Sequence, residues 1–202
     1  FRRVLFRSSR LHAAEEVSDG LLGDYEVGDR VWEVNQNDDV RLLRMNPDGS
    51  SVYDIYASDI IDTITFEPFS FVSWEKDDIY ASFIDFMDEL EDEDIINDWY
   101  PYAYDWRYNV ASVVASGTVK ANGRQESLLD TVTALANTSK TGQVTIVAHS
   151  NGGLLTKVLL DELAAQGKAD LVDTIVLAGV PQTGTPQAIG TVLHGYDQRY
   201  GY

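Results

Sequence analysis

The chain has 202 residues, of which 44% are hydrophobic and 24% charged, a composition typical of an ordinary globular domain. It carries 33 acidic against 15 basic residues, a net charge of −18, and a surface of that sign repels phosphate backbones and argues against nucleic-acid partners. The absence of cysteine excludes disulfides and thiolate metal sites, and no run approaches the ~20 apolar residues of a membrane-spanning helix. The composition assigns neither a compartment nor an oligomeric state.

The N-terminal segment differs in charge from the rest, since four arginines fall within the first ten residues. Its apolar part, Val4-Leu5-Phe6, is far shorter than the ~7–15 residues of a secretion signal. Because residues 1–8 resemble neither a signal nor a strand, we expect them to be a non-native segment outside the fold. The domain is then expected to occupy residues 9–202.

The first half of that domain combines turns with short β-branched runs. Val31-Trp32-Glu33-Val34 predicts a strand, and Asn46-Pro47-Asp48-Gly49 is typical of a four-residue turn. Apolar residues spaced by three and four predict an amphipathic helix over residues 77–90. The acidic run 88–98 lacks the Asp-x-Asp-x-Asp-Gly spacing of a calcium loop and is interpreted as a solvated helix end.

The second half alternates strands and helices. Strands are predicted at 100–106, 144–148 and 174–178, and apolar stripes predict helices between them, the first opened by a capping box of Asn122 and Gln125. Successive strand–helix–strand units pair in parallel. The fold class predicted is therefore α/β, with a mostly parallel sheet of the α/β-hydrolase type, helices on both faces, and both ends incomplete.

The most informative motif is Ala148-His149-Ser150-Asn151-Gly152-Gly153, which stands between a predicted strand and a predicted helix. A small-x-Ser-x-Gly turn at that place is typical of a nucleophile elbow, with Ala148 replacing the first glycine of the usual form. Ser150 is the candidate catalytic nucleophile, and the N–H of Asn151 is the candidate oxyanion donor. A helix-capping serine beside a glycine turn is the plain alternative.

Four further segments resemble the lecithin:cholesterol acyltransferase family of α/β hydrolases. Residues 102–107, Tyr-Ala-Tyr-Asp-Trp-Arg, are similar to its Pro-Tyr-Asp-Trp-Arg segment, and residues 179–186 are similar to the loop after its next strand. Residues 28–32 and 45–50 match its upstream part more loosely. The resemblance covers roughly residues 9–202. It implies a serine-dependent O-acyltransferase or lipase that acts on lipid esters, without cofactor or metal, and with an alcohol as candidate acceptor and peripheral contact with a lipid interface.

The chain also departs from the family's pattern. The family's second oxyanion donor comes from a Pro-Gly loop that should precede Ser9, and this sequence has no such loop. The triad acid and base follow the nucleophile in the order Asp then His, whereas the last predicted strand ends near Ala178. We therefore expect both residues to lie beyond residue 202.

Other polar and aromatic residues are further candidates for the site. None of the three histidines is assigned as the general base. His149 is adjacent to the nucleophile in sequence, so its side chain points to the opposite side of the strand. His194 lies in the region expected to form a lid over the site, and His12 lies close to the segment expected to be non-native. Asp105 and Arg107 precede the nucleophile and are interpreted as a polar pair that anchors a strand end. Candidate pocket residues are Tyr104, Trp106, Thr183 and Thr185, although aromatic side chains on a buried strand more often belong to the core.

Three functions remain open on the sequence alone. The first is O-acyl transfer or lipolysis through an acyl-enzyme at Ser150, and the second is plain carboxylester hydrolysis. The third is a non-catalytic binding module that kept the elbow by descent.

Overall fold

A computed structural model of the chain describes residues 2–7, 9–19, 23–32, 41–69, 72–186, 189–190 and 193. Before the first helix, its strands are β1 (Arg2–Arg7), β2 (Ser9–Ala13), β3 (Val17–Asp19), β4 (Gly23–Tyr25), β5 (Arg30–Trp32), β6 (Ile55–Ile60), β7 (Thr63–Phe69) and β8 (Val72–Asp78). The elements that follow are α1 (Ala81–Asp92), β9 (Asp98–Ala103), α2 (Val110–Ser116), β10 (Thr118–Val119), β11 (Gln125–Glu126), α3 (Leu128–Thr138), β12 (Val144–His149), α4 (Asn151–Ala165), a 3-10 turn (Ala169–Leu171) and β13 (Val172–Ala178).

A four-stranded sheet in the order β13-β12-β1-β9 organises the second half of the chain. All three of its pairings are parallel, as the strand–helix alternation predicted. Parallel pairing is confined to this sheet in the described residues, and the other strand pairs are antiparallel: β2 with β5 and with β6, β3 with β4, β7 with β8, and β10 with β11. The α/β class is thus observed, but the expectation of one mostly parallel sheet needs this correction.

The strand β1 corrects the prediction about the N-terminus. Arg2–Arg7 lies between β9 and β12, with Arg2 opposite both Asp98 and Val144 and Phe6 opposite both Tyr102 and Ala148. The expectation that this segment forms no strand and lies outside the fold is therefore wrong. Its sequence signal is weak because only three apolar residues stand between arginines. Its two partner strands begin at Asp98 and Val144, far along the chain.

Helices pack on both faces of the parallel sheet. Side chains alternate along a strand, so Val144, Ile146 and Ala148 of β12 share one face, and they form a buried core with residues of α3 and α4 such as Val132 and Leu155. On the opposite face, Thr145 and Val147 line a groove together with Phe83 of α1. The elbow thus follows a strand that is covered on both sides. No helix in the described residues is long and apolar enough to cross a membrane.

The start of α3 also departs from the prediction. Its N-cap is Ser127, whose side chain accepts a hydrogen bond from the N–H of Asp130 at 3.2 Å. Asn122 instead accepts from the N–H of Arg124 in the turn between β10 and β11, next to Gly123 at φ 70°. The predicted capping box is wrong because the same Asn and Gln residues serve a hairpin, where Asn-Gly is a favoured turn.

Candidate active site

Ser150 lies in the turn between the end of β12 and the start of α4, as the sequence predicts. Its backbone has φ 52° and ψ −126°, and among the described residues only Asp94 shares a positive φ without being glycine. The Ser150 N–H donates to the carbonyl of Ala178 at 3.0 Å, and its carbonyl accepts from the N–H of Gly153 at 3.0 Å. Hydrogen bonds on both sides therefore hold the residue in a strained conformation.

The hydroxyl of Ser150 serves no structural purpose in the described part of the chain. Although Ser150 is the N-cap residue of α4, its side chain makes no capping hydrogen bond, and no described residue bonds to Oγ. The residue is partly exposed. A structural N-cap serine normally accepts from an N–H of the first turn, as Ser127 does for α3. This geometry does not fit the plain alternative of a capping serine.

The small residues around Ser150 are required by close packing. A Cβ on Gly153 would lie 2.1 Å from Cγ2 of Val180, in the loop that follows β13. Gly152 and Ala148 are buried, and the carbonyl of Gly152 accepts from the Thr156 hydroxyl at 2.8 Å. The elbow residues Ala148, Gly152 and Gly153 thus pack inward, while Ser150 remains accessible.

Asn151 is the first residue of α4, and its backbone N–H belongs to the helix turn whose N–H groups have no intrahelical acceptor. Its side-chain Nδ2 donates to the hydroxyl oxygen of Tyr104 at 3.0 Å. This contact joins the elbow to the segment that follows β9. Sequence analysis named both residues but missed the contact, because they stand 47 positions apart and no local pattern links them.

Neither described histidine is hydrogen-bonded to Ser150. Nδ1 of His149 lies 2.6 Å from the hydroxyl of Tyr80, just before α1, and the two rings pack edge to face. Nδ1 of His12 is 2.9 Å from the carbonyl of Gly28, and its ring stacks on Tyr56. His194 lies outside the described residues. The His149 ring thus packs against Tyr80 and is hydrogen-bonded to it.

Asp105 and Arg107 form a buried ion pair. Nη2 of Arg107 is 2.6 Å from Oδ2 of Asp105, and Nε of Arg107 is 3.0 Å from Oδ1. The Arg107 side chain is 4% exposed and the Asp105 side chain 7%. Nη1 of Arg107 donates to the Ser51 hydroxyl at 2.9 Å, and the N–H of Asp105 donates to Thr118. The Asp105 carboxylate and the Arg107 guanidinium therefore bind to each other and to neighbouring groups of the fold. This agrees with their interpretation as a pair that anchors a strand end.

The four candidate pocket residues lie in different surroundings. Tyr104 is only 1% exposed and Trp106 packs on Trp32 with ring centroids 4.8 Å apart, whereas Thr183 and Thr185 are exposed after β13. Cavities of about 340, 700 and 580 Å³ lie beside Asp105, beside the β10–β11 hairpin, and between α1 and β13. Ser150 lines none of these three. In the described residues, no group of three or more His, Cys, Asp or Glu side chains could hold a metal ion.

Residues 65–201, more than half of the chain, match the family model described as lecithin:cholesterol acyltransferase. The chain belongs to the lecithin:cholesterol acyltransferase family. Membership indicates an α/β-hydrolase class and an enzyme of the acyltransferase or esterase type whose substrates are lipid esters. A search of curated proteins and a search of solved structures found no match.

The region matched to the lecithin:cholesterol acyltransferase family contains the elbow, the segment 102–107 and the loop 179–186. The looser upstream similarities at 28–32 and 45–50 precede it and stay predictions. The chain passes from β1, which ends at Arg7, to β2, which begins at Ser9, with one residue between them. The Pro-Gly loop expected from the resemblance does not occur in this sequence.

Proposed function

We propose that Ser150 is the nucleophile of an O-acyltransferase or lipase that cleaves lipid esters through an acyl-enzyme. The observation that carries the proposal is the positive φ of Ser150 combined with a hydroxyl that no described residue engages. Protein structures retain backbone strain of about 1–3 kcal/mol mainly at functional sites. A structural serine at this turn would gain nothing from the strain, whereas a nucleophile gains exposure above the sheet.

The proposed reaction has two stages. Ser150 Oγ attacks the ester carbonyl while a general base removes its proton, which gives a tetrahedral intermediate. The backbone N–H of Asn151 donates to the oxyanion, a contribution of about 3–4 kcal/mol for one donor. The intermediate collapses as the alkoxide leaves with the proton held by the base, and the acyl group stays on Ser150. Water or an alcohol then accepts the acyl group by the same steps in reverse.

The general base is not assigned to a described residue. Neither His149 nor His12 is hydrogen-bonded to Ser150, which supports a base located elsewhere, as the expected order of nucleophile, acid and base requires. Asp105 is likewise committed to Arg107. Among the described residues, Ser150 is thus assigned as the nucleophile and Asn151 as the oxyanion donor. Whether water or an alcohol accepts the acyl group is tested by product analysis.

A fluorophosphonate probe on the full-length protein tests the nucleophile. We expect covalent labelling of the wild type and its loss in Ser150→Ala, because the probe phosphonylates an activated serine. Ser127→Ala is the matched control, since Ser127 is also partly buried at a helix start but its hydroxyl caps α3. It should retain labelling. A folded wild type that is never labelled would favour the non-catalytic binding module.

Product analysis separates the two enzyme classes. A lipid ester with a labelled acyl chain is incubated with and without a long-chain alcohol, and both products are counted. Acylated alcohol in excess of free fatty acid supports a transferase, whereas free acid alone supports a plain esterase or lipase. Exclusion of water from the acyl-enzyme would decide between these outcomes.

A further inference from the structure

We propose that Tyr104 is a positioning residue, whose hydroxyl tethers the Asn151 side chain and so fixes the orientation of the Asn151 backbone N–H. This inference rests on the proposed function, because that N–H matters only if it stabilises an oxyanion. It assigns Tyr104 a role different from the pocket wall expected from the sequence.

Tyr104 is a rigid anchor because its surroundings hold it at several points. Its side chain belongs to the core with Leu155 and Leu159, and the residue is 1% exposed. Its backbone N–H donates to the buried Ser9 hydroxyl at 2.8 Å. The next residue, Asp105, is fixed by the Thr118 hydroxyl and by the ion pair with Arg107. The phenol therefore stands on a part of the fold that has little freedom to move.

The tether ends beside the reacting group. Nδ2 of Asn151 donates to the Tyr104 oxygen at 3.0 Å, and Asn151 directly follows the strained Ser150. Burial raises the pKa of Tyr104 to about 12, and the hydrogen bond from Asn151 opposes this rise only in part. The phenol consequently remains neutral near pH 7. With its side chain fixed, Asn151 has less freedom to rotate its own N–H away from the oxyanion position.

The expected consequence is selective for the transition state. A donor aimed at an oxyanion contributes little while the carbonyl is still uncharged, so its misorientation lowers kcat and leaves KM nearly unchanged. A displacement of about 1 Å in a catalytic group can cost about 100-fold in rate. A tyrosine that merely filled the core would instead affect stability, with no such division between kcat and KM.

The chain supplies a matched control in Tyr102. It is also fully buried and also uses its hydroxyl, which donates to the carbonyl of Glu126 at 3.0 Å, on the hairpin side and not at the elbow. Tyr104→Phe and Tyr102→Phe therefore each remove one buried hydroxyl from the same aromatic segment. Only the first breaks a contact with the elbow.

Steady-state kinetics on a lipid ester with the full-length protein tests the inference. We expect Tyr104→Phe to lower kcat by about 10- to 100-fold with KM within about twofold, and Tyr102→Phe to change kcat by less than about twofold. Asn151→Ala breaks the same tether from the other side while keeping its backbone N–H, so it should reproduce the loss even if Tyr104→Phe fails to fold. The double variant should be no slower than the slower single variant, because both changes remove one interaction.

The possible results separate the positioning role of Tyr104 from the proposed role of Ser150 as nucleophile. Equal kcat in the two Tyr→Phe variants, or multiplicative losses in the double variant, would overturn the positioning role while labelling of Ser150 persists. A folded wild type without labelling or turnover would overturn the proposed function, and the positioning role with it. Melting temperatures of all variants, measured in parallel, show whether a loss of activity reflects unfolding.

Discussion

Two segments of the molecule follow strands at the same edge of the parallel sheet, and they differ in whether their polar side chains are hydrogen-bonded within the fold. The turn after β12 holds Ser150 in a strained conformation, with a hydroxyl that no described residue engages. The segment after β9 contains Asp105 and Arg107, whose charged groups are buried and paired with each other. Both strands are neighbours of β1, so both segments leave the carboxyl-terminal edge where ligands of α/β proteins bind.

The difference shows that location alone does not identify a catalytic group. A charged residue whose bonds are satisfied inside the fold contributes to stability, since removing one partner leaves the other buried and unpaired. A strained residue with a free polar atom costs stability and is retained for another reason. The comparison therefore predicts that breaking the Asp105–Arg107 pair in the segment after β9 reduces stability, whereas a suitable mutation at Ser150 increases it.

The largest stability effect is expected for Arg107→Met. This change leaves the Asp105 carboxylate buried without its cation, and the free energy of unfolding should fall by about 3–5 kcal/mol in urea denaturation. Adding Asp105→Asn in the same chain should recover part of the loss, because the unpaired charge is removed. Arg124→Met, at an exposed arginine of the hairpin turn, should stay within about 0.5 kcal/mol. If Arg107→Met lost no more stability than Arg124→Met, the Asp105–Arg107 pair would not contribute to the stability of the fold.

A smaller effect is expected for Gly153→Ala. The added Cβ would lie 2.1 Å from Val180, so the first turn of α4 and the loop after β13 must separate. Overpacking of this kind costs about 1–3 kcal/mol, which a thermal melt would show as a lower Tm. The control is Gly190→Ala, where nothing lies within 4 Å of the new Cβ. If both variants had the same Tm, the packing of the elbow against Val180 would be disproved.

The smallest expected effect is an increase in stability. Ser150→Gly should raise the free energy of unfolding by about 1 kcal/mol, because glycine adopts φ 52° without the strain that a side chain imposes. Ser150→Ala keeps a Cβ and should bring no such gain. Both variants lack the hydroxyl, so the difference between their free energies of unfolding in urea measures the effect of the Cβ alone. A glycine variant no more stable than the alanine variant would show that the turn is unstrained.

Sequence patterns were sufficient where the signal is local. The apolar run 144–148, the glycines after Ser150 and the apolar stripe of the next helix predicted β12, the turn and α4 within a residue or a few. The segments 102–107 and 179–186 indicated the family that the match over residues 65–201 shows. The prediction for Arg2–Arg7 failed because distant contacts decide it, since the two strands that flank it come much later in the chain. The capping box failed for a local reason, because Asn122 and Gly123 form the turn between β10 and β11.

The sequence by itself determined the position of the elbow, because periodicity and turn residues are properties of neighbouring positions. Only the tertiary structure decided which polar groups around the elbow are free. His149 is hydrogen-bonded to Tyr80, and the Asn151 side chain is hydrogen-bonded to Tyr104. The partners of His149 and Asn151 lie 69 and 47 positions away, and only folding brings such distant groups within hydrogen-bond distance.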